Sequence, residues 1–413
     1  MKSCALLALG PVMLLVVVTL IFIVNNRVPN VYIPTHSVPK DNGYDYFIKA
    51  GKMLGTIGPS SCATRQPSSW TVPELRQYVV SNTPALTMLR QGLKKQCILP
   101  AARSFNTLFP HFSQCRELAR RLVDEARYYR AIGDYARASD SHLDCIEFGA
   151  AFPRGGSLIG GLVGIAIESI GTHGFGPLLP KLNARELEHV ARRLERIEAR
   201  RVPFREVIEE EGRGSAACLI EIMSDRRTRG SIANPVNWFG GGPMGSGTPP
   251  GSAGEVWNNA RFAFCNKIAA VRCVMDYCNA VAAEQTRPYT GKSSVPVPAN
   301  MAAQWLVPTF DRSRLAWEKN IAVFAVLRAE VALRRYRFDH NRFPDRLSDL
   351  VPVYLKAVPT DPLGLRKPLK YRPLNGGRSF LLYSLGCDLK DDHGAPGSHM
   401  DSYQTGDIVA GQW

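Results

Sequence analysis

The 413-residue sequence holds ten cysteines but no Cys-x-x-Cys. That absence excludes the zinc ribbons and thioredoxin-type redox sites that pair thiols across a short turn. It also lacks His-Glu-x-x-His, Gly-x-Ser-x-Gly and Gly-x4-Gly-Lys-Ser/Thr. Zincin hydrolysis, α/β-hydrolase nucleophile chemistry and P-loop phosphate binding therefore have no local frame here. Acidic residues are in deficit, 36 Asp and Glu against 51 Lys and Arg, which leaves a net charge of +15. A surface of that sign suits water, anionic lipid headgroups or nucleic acid. No zinc finger, homeodomain or RNA-recognition motif accompanies it, so nucleic acid is not an expected partner. The cysteines leave two states open: buried thiols acting as small hydrophobes, or a few disulfides in an oxidising compartment.

One long apolar run is present. "CALLALGPVMLLVVVTLIFIV", residues 4 to 24, has no charged side chain and exceeds the roughly 20 residues a helix needs to cross a bilayer. The exit "FIVNNRVPN" offers no small-residue cleavage site, so residues 1–26 are expected to be an uncleaved transmembrane anchor. Lys2 on one side and Arg27 and Lys40 on the other are too balanced to orient it by charge. Residues 27–42, rich in Pro, Asn and Ser, are read as a spacer.

From 43 to 300 the patterning is helical. Thr71 with Pro73 and Glu74 marks a helix start. Asn-Thr-Pro at 82–84 predicts a break, with a new helix from Pro84. Leu118, Leu122, Ala126, Tyr129 and Ile132 form one helical stripe, Gly133-Asp134 turns the chain, and Tyr135, Ala138, His142 and Ile146 begin a second. "GDYARA" resembles the inter-helix turn of a tetratricopeptide repeat, but no second copy follows at a regular period. "GGSLIGGLVGIAIESIG", 155–171, is predicted to be a buried, closely packed helix, and Asn183 with Glu186 a capping box. Residues 230–254 read as a flexible Gly/Pro loop. The body is similar to membrane-anchored bacterial proteins of unknown role, a likeness that supplies no activity.

The last hundred residues have a different pattern. A long helix ends at "NRFP", a short helix capped by Asp345 covers "DRLSDLVPVYL", and "LKYR" and "FLLYSLG" give two strands around Asn375-Gly376-Gly377. The residues Arg342-Phe343-Pro344, Leu350-Val351-Pro352, Tyr354-Leu355, Val358-Pro359, Asp361-Pro362 and Tyr383-Ser384-Leu385-Gly386, followed by Asp388, stand in an order that closely resembles the globular domain of the major pseudopilin of type II secretion systems. Even the ending "GDIVAGQW" is like that family's. The resemblance implies a small α+β head over 310–413 and a structural calcium ion in the loop after the last strands. Carried over by residue, it implies the Leu385 carbonyl and Asp388 as ligands, with Asp391, Asp392, Asp401 and Asp407 as candidates for a later one. Hard cations need several oxygens at short spacing, which this loop offers without an EF-hand pattern. The chain start has neither the family's processed Gly-Phe motif nor its membrane-helix glutamate, so assembly into a pilus-like rod is not expected.

The expected fold is therefore mainly α: an N-terminal transmembrane helix, a multi-helix, partly tetratricopeptide-like body, and a small pseudopilin-like α+β head. The expected function is that of a membrane-anchored, extracytoplasmic (periplasmic), non-enzymatic protein. Its body would bind a protein partner and calcium would stabilise its head, with a link to secretion as the resemblance implies. The alternative is an anchored hydrolase using Glu206, Glu209, Glu210, Glu211, Glu221 and Asp225.

Overall fold

The computed structural model describes residues 2–25, 27, 30–55, 70–104, 106–224, 264–397 and 406–412. The chain is mainly helical with one small antiparallel sheet. The helices are α1 (Lys2–Asn25), α2 (Gly43–Lys52), α3 (Val72–Leu93), α4 (His111–Ala131), α5 (Tyr135–Ala151), α6 (Leu158–Thr172), α7 (Ala184–Arg200), α8 (Phe204–Ser224), α9 (Lys267–Glu284), α10 (Met301–Leu306) and α11 (Phe310–His340). The strands are β1 (Lys370–Leu374), β2 (Ser379–Ser384) and β3 (Ile408–Val409), in that spatial order. The 230–254 loop, Asp225 and Asp401 lie outside the described residues.

Helices α2 to α6 close over Phe47, Leu86, Leu89, Leu118, Leu122, Phe148 and Phe152. Each such side chain contributes roughly 1.5–3 kcal/mol by leaving water. Ile132 does not continue the apolar stripe: it follows the end of α4 and is exposed, because Gly133 turns the chain at φ +80° right after it. The Asp134 side chain caps α5 by accepting the Arg137 N–H at 3.1 Å. The glycine-rich α6 sits tightly on α5: a Cβ on Gly149 would meet the Glu168 backbone nitrogen at 2.5 Å. Asn183 and Glu186 form the capping box of α7.

Pro84 does not break a helix; α3 runs through it. Proline removes one intrahelical donor and crowds the preceding turn. Here the carbonyl left without a donor is that of Val80, which lies on the exposed side of the helix where water can serve it. Nearby side chains bond to the carbonyls just before it. Ser81 Oγ and Asn82 Nδ2 donate to the Tyr78 carbonyl at 2.8 and 2.9 Å, and Thr83 Oγ1 donates to that of Val79 at 2.9 Å. The short helix expected after Asp345 is a 3-10 turn, Leu347–Leu350, and Asp345 pairs with Arg342 instead of capping it.

Residues 30–42 lie on the body. Asn42 donates to the Ile98 carbonyl and accepts its N–H at 2.8 and 2.9 Å, His36 Nε2 lies 2.8 Å from the Leu99 carbonyl, and Arg103 donates to the Pro34 carbonyl at 3.0 Å. By length and composition one helical stretch among the described residues, Leu158–Lys181, could cross a membrane. It contains the buried Glu168, held by Arg201 at 2.5 Å, and packs on α4 and α5, as a core helix does. In α1 the described side chains from Val12 to Val24 are all exposed, and all but Thr19 are apolar. The Thr19 hydroxyl donates to the Leu15 carbonyl at 2.8 Å.

Helix α11 joins everything C-terminal. Phe324, Leu327 and Val331 face α7 and the 3-10 turn Gly176–Lys181. Val326, Ala329 and Leu333 face Phe343, Leu350, Leu369 and Leu382 beneath the sheet.

Candidate functional site

Asp361 organises the start of the acidic loop. It lies at 1% exposure between the 3-10 turn and the sheet. Its carboxylate accepts Ser384 Oγ at 2.6 Å, the Leu385 N–H at 2.8 Å and the Leu363 N–H at 2.9 Å. Burial pushes its pKa up, and these hydrogen bonds work against that. The result is a fixed exit from β2, with the Leu385 carbonyl turned to take the Ser384 hydroxyl at 3.0 Å.

Beyond it the four described carboxylates differ. Asp388 Oδ1 accepts only the Lys390 N–H, at 3.2 Å, and Asp392 is exposed. Asp391 takes the Tyr383 hydroxyl at 2.9 Å and Lys370 Nζ at 3.0 Å, and the hydrogen bond from Lys370 is the main reason its pKa is lowered. Asp407 is buried. One oxygen accepts the Gly394 N–H at 2.7 Å, while Oδ1 is buried with no hydrogen-bond partner among the described residues. Its pKa is raised by burial first, and the charges of Asp391 and Asp392 add to the shift. A buried carboxylate oxygen without a donor is costly, and a cation is one group that would satisfy it. No group of three or more His, Cys, Asp or Glu side chains among the described residues is gathered closely enough to hold a metal ion. The donor chemistry suits a hard cation, then, while the carboxylates stand apart.

The acidic residues of α8 are occupied one by one. Glu210 is buried between Arg103 at 2.6 Å and Arg213 at 3.2 Å. Glu211 accepts the Leu158 N–H at 2.8 Å, and burial raises its pKa. Glu209 pairs with Arg205 at 2.7 Å, Glu206 lies 3.9 Å from Arg154, and Glu221 accepts Ser104 Oγ at 2.8 Å. Glu209 and Glu210 share one neighbour, Arg213, at 3.5 and 3.2 Å, and the other carboxylates of α8 are held by separate partners.

The described cysteines are free thiols, with Cys97, Cys115, Cys145 and Cys278 buried. Burial pushes the Cys115 and Cys278 thiols up to about 12, far from the thiolate range of a nucleophile.

Sequence reasoning missed a cavity of about 410 Å³ between α11, the 3-10 turn Gly176–Lys181 and β2. Its walls include Arg334, Arg337 and Arg378. The three arginines are 41 to 44 residues apart across the head or within one α11 face, and only the folded hairpin brings them together. No family model matches the chain, and neither a curated protein nor a solved structure does.

Proposed function

We propose that the protein is a membrane-anchored, non-enzymatic scaffold with an extracytoplasmic body and a pseudopilin-like, calcium-stabilised head. The observation that carries this is α1. A helix apolar on every side needs either a protein core or a bilayer around it, and the described side chains of α1 have no core. Its sole described polar side chain before Asn25 is satisfied within the helix, as lipid requires. Its end is fixed to the body: Asn25 Nδ2 donates to the Phe264 carbonyl at 2.8 Å, and the Phe22 and Phe264 rings meet edge to face at 5.9 Å. The bilayer surface would then lie near Phe264.

The order long helix, 3-10 turn and three-stranded sheet supports the likeness of 310–413 to the pseudopilin head. Asp407, with its spare buried oxygen, would be the anchor of a calcium ion, with Asp388, Asp391, Asp392 and the Leu385 carbonyl as further oxygens. The engagement of the α8 carboxylates by arginines and hydrogen-bond donors, with Glu209 and Glu210 sharing Arg213, favours a binding protein over a hydrolase.

The test is fractionation after expression in a bacterial host. The full chain should stay with membranes through alkaline carbonate, and the chain lacking Lys2–Asn25 should not. Protease added outside spheroplasts should degrade the body of the full chain. A body protected until the cells are lysed would place it in the cytoplasm and overturn the reading.

A further inference from the structure

The head ends in a strand edge that is only half used. Ala410 N–H donates to the Leu382 carbonyl at 2.9 Å, so Leu382 directs its backbone groups toward β3. In a strand, residues two apart point the same way, so Phe380 directs its N–H and C=O toward that edge as well. Phe380 and its cross-strand partner Pro373 are therefore a non-hydrogen-bonded pair, and β1 does not use the Phe380 backbone. On the β3 side the chain has already turned away, with the Gln412 N–H returning to the Val409 carbonyl at 3.1 Å. The open edge of Phe380 thus faces the cavity of about 410 Å³, within the range of roughly 300–1,000 Å³ typical of ligand pockets.

The walls have a definite character. Arg334 lies 5.9 Å over the Phe380 ring and Arg337 5.2 Å over that of Phe343, and the two rings meet edge to face at 4.6 Å. Glu330 is the one acidic residue on the walls, and Arg334 holds it at 2.6 Å. Arg337 and Arg378 are exposed and form no ion pair among the described residues. The opposite wall is backbone: a Cβ on Gly176 would meet Gly411 at 2.7 Å, so the body closes the groove and gives it depth.

We infer that this groove binds an extended acidic peptide segment of a partner protein, which adds as a strand beside Phe380 and places its carboxylates on Arg337 and Arg378. Main-chain hydrogen bonds supply affinity in such strand addition, and the arginines supply selection for charge. The inference deepens the partner-binding reading and rests on it, naming the class of partner and where on the head it docks.

The experiment uses the full-length chain in detergent and fluorescence anisotropy of a labelled octapeptide that alternates Thr and Val and ends in two Glu. Binding is expected, weakening with salt. R337E with R378E, both exposed positions, should weaken it about tenfold or more. The same peptide with two Lys at its end should not bind. The acidic peptide N-methylated at alternate amides should lose binding in at least one of the two possible registers. Equal binding of the lysine peptide, or full binding of both N-methylated registers, would overturn the proposal. So would no binding at millimolar peptide. Binding that appears only after deletion of Trp413 would make the chain's own end the occupant, which also overturns it. The anchoring reading fails or stands by fractionation, independently of these outcomes.

Discussion

At the scale of single residues, Asp361 shows how much of the head depends on one buried carboxylate. Three hydrogen bonds from Ser384, Leu385 and Leu363 converge on it. Asp361→Ala would leave the Leu363 and Leu385 N–H groups without this acceptor, while the Ser384 hydroxyl keeps the Leu385 carbonyl, and should destabilise the protein by about 3 kcal/mol. Asp361→Asn keeps an oxygen for the two donors now on Oδ1 but turns an amide N–H toward that of Leu385. It should cost about half as much. Chemical denaturation of both variants measures this, and equal losses would mean that packing, not acceptor count, governs the position. Asp361-Pro362 was legible in the sequence as part of a resemblance to a known head, but its partners were not, since Ser384 and Leu385 lie more than twenty residues away. Asp407 is similar: its position in an acidic loop was plain, and its orphaned oxygen is a product of burial alone.

At the scale of elements, local signals were legible where local chemistry decides. The Asp134 cap, the Asn183–Glu186 box and the turn at Gly133 follow from side chains that serve their own neighbours. Pro84 misleads for the opposite reason: the carbonyl it leaves without a donor, that of Val80, lies on the exposed side of α3, and which side of the helix meets water is settled only by packing. Residues 30–42 have the composition of a spacer yet are fixed by Ile98, Leu99 and Arg103, contacts between segments some sixty residues apart. Glycines separate into two kinds in the same way. Gly149 lets α5 approach α6, and Gly149→Ala should cost about 3 kcal/mol by forcing them apart. Gly133 has open space around it and a φ of +80°, so Gly133→Ala should cost only about 1 kcal/mol of backbone strain. Thermal melts of the two variants give the ranking, and a Gly133→Ala loss as large as that of Gly149→Ala would show that the turn, not the helix contact, is the tighter constraint.

At the scale of the whole molecule, α11 makes body and head one cooperative unit. One face of it completes the core with α7 and another completes the core beneath the sheet. Asn320 adds a polar tie by donating to Glu168 of α6 at 2.7 Å, a carboxylate already held by Arg201. A cation held by the head should therefore raise the unfolding of the full chain as a single transition. With calcium at about 100 times its Kd the gain is about 2.7 kcal/mol, which in a chain of this length appears as a rise of a few degrees. Asp407→Asn and Asp388→Ala should each remove the rise. The pH dependence follows from the raised pKa of Asp407, whose first cause is burial. A raised folded-state pKa means that the proton favours the folded form, so without calcium the contribution of Asp407 improves as pH falls through that pKa and is lost as pH rises. A calcium ion at the proposed site would supply the missing positive charge only where Asp407 is ionised. The difference between melts with calcium and with chelator should then be full above that raised pKa and shrink as pH falls through it. A calcium shift that is constant with pH would place the ion on other carboxylates, and a separate low-temperature transition responding alone would show that α11 does not couple the head to the body.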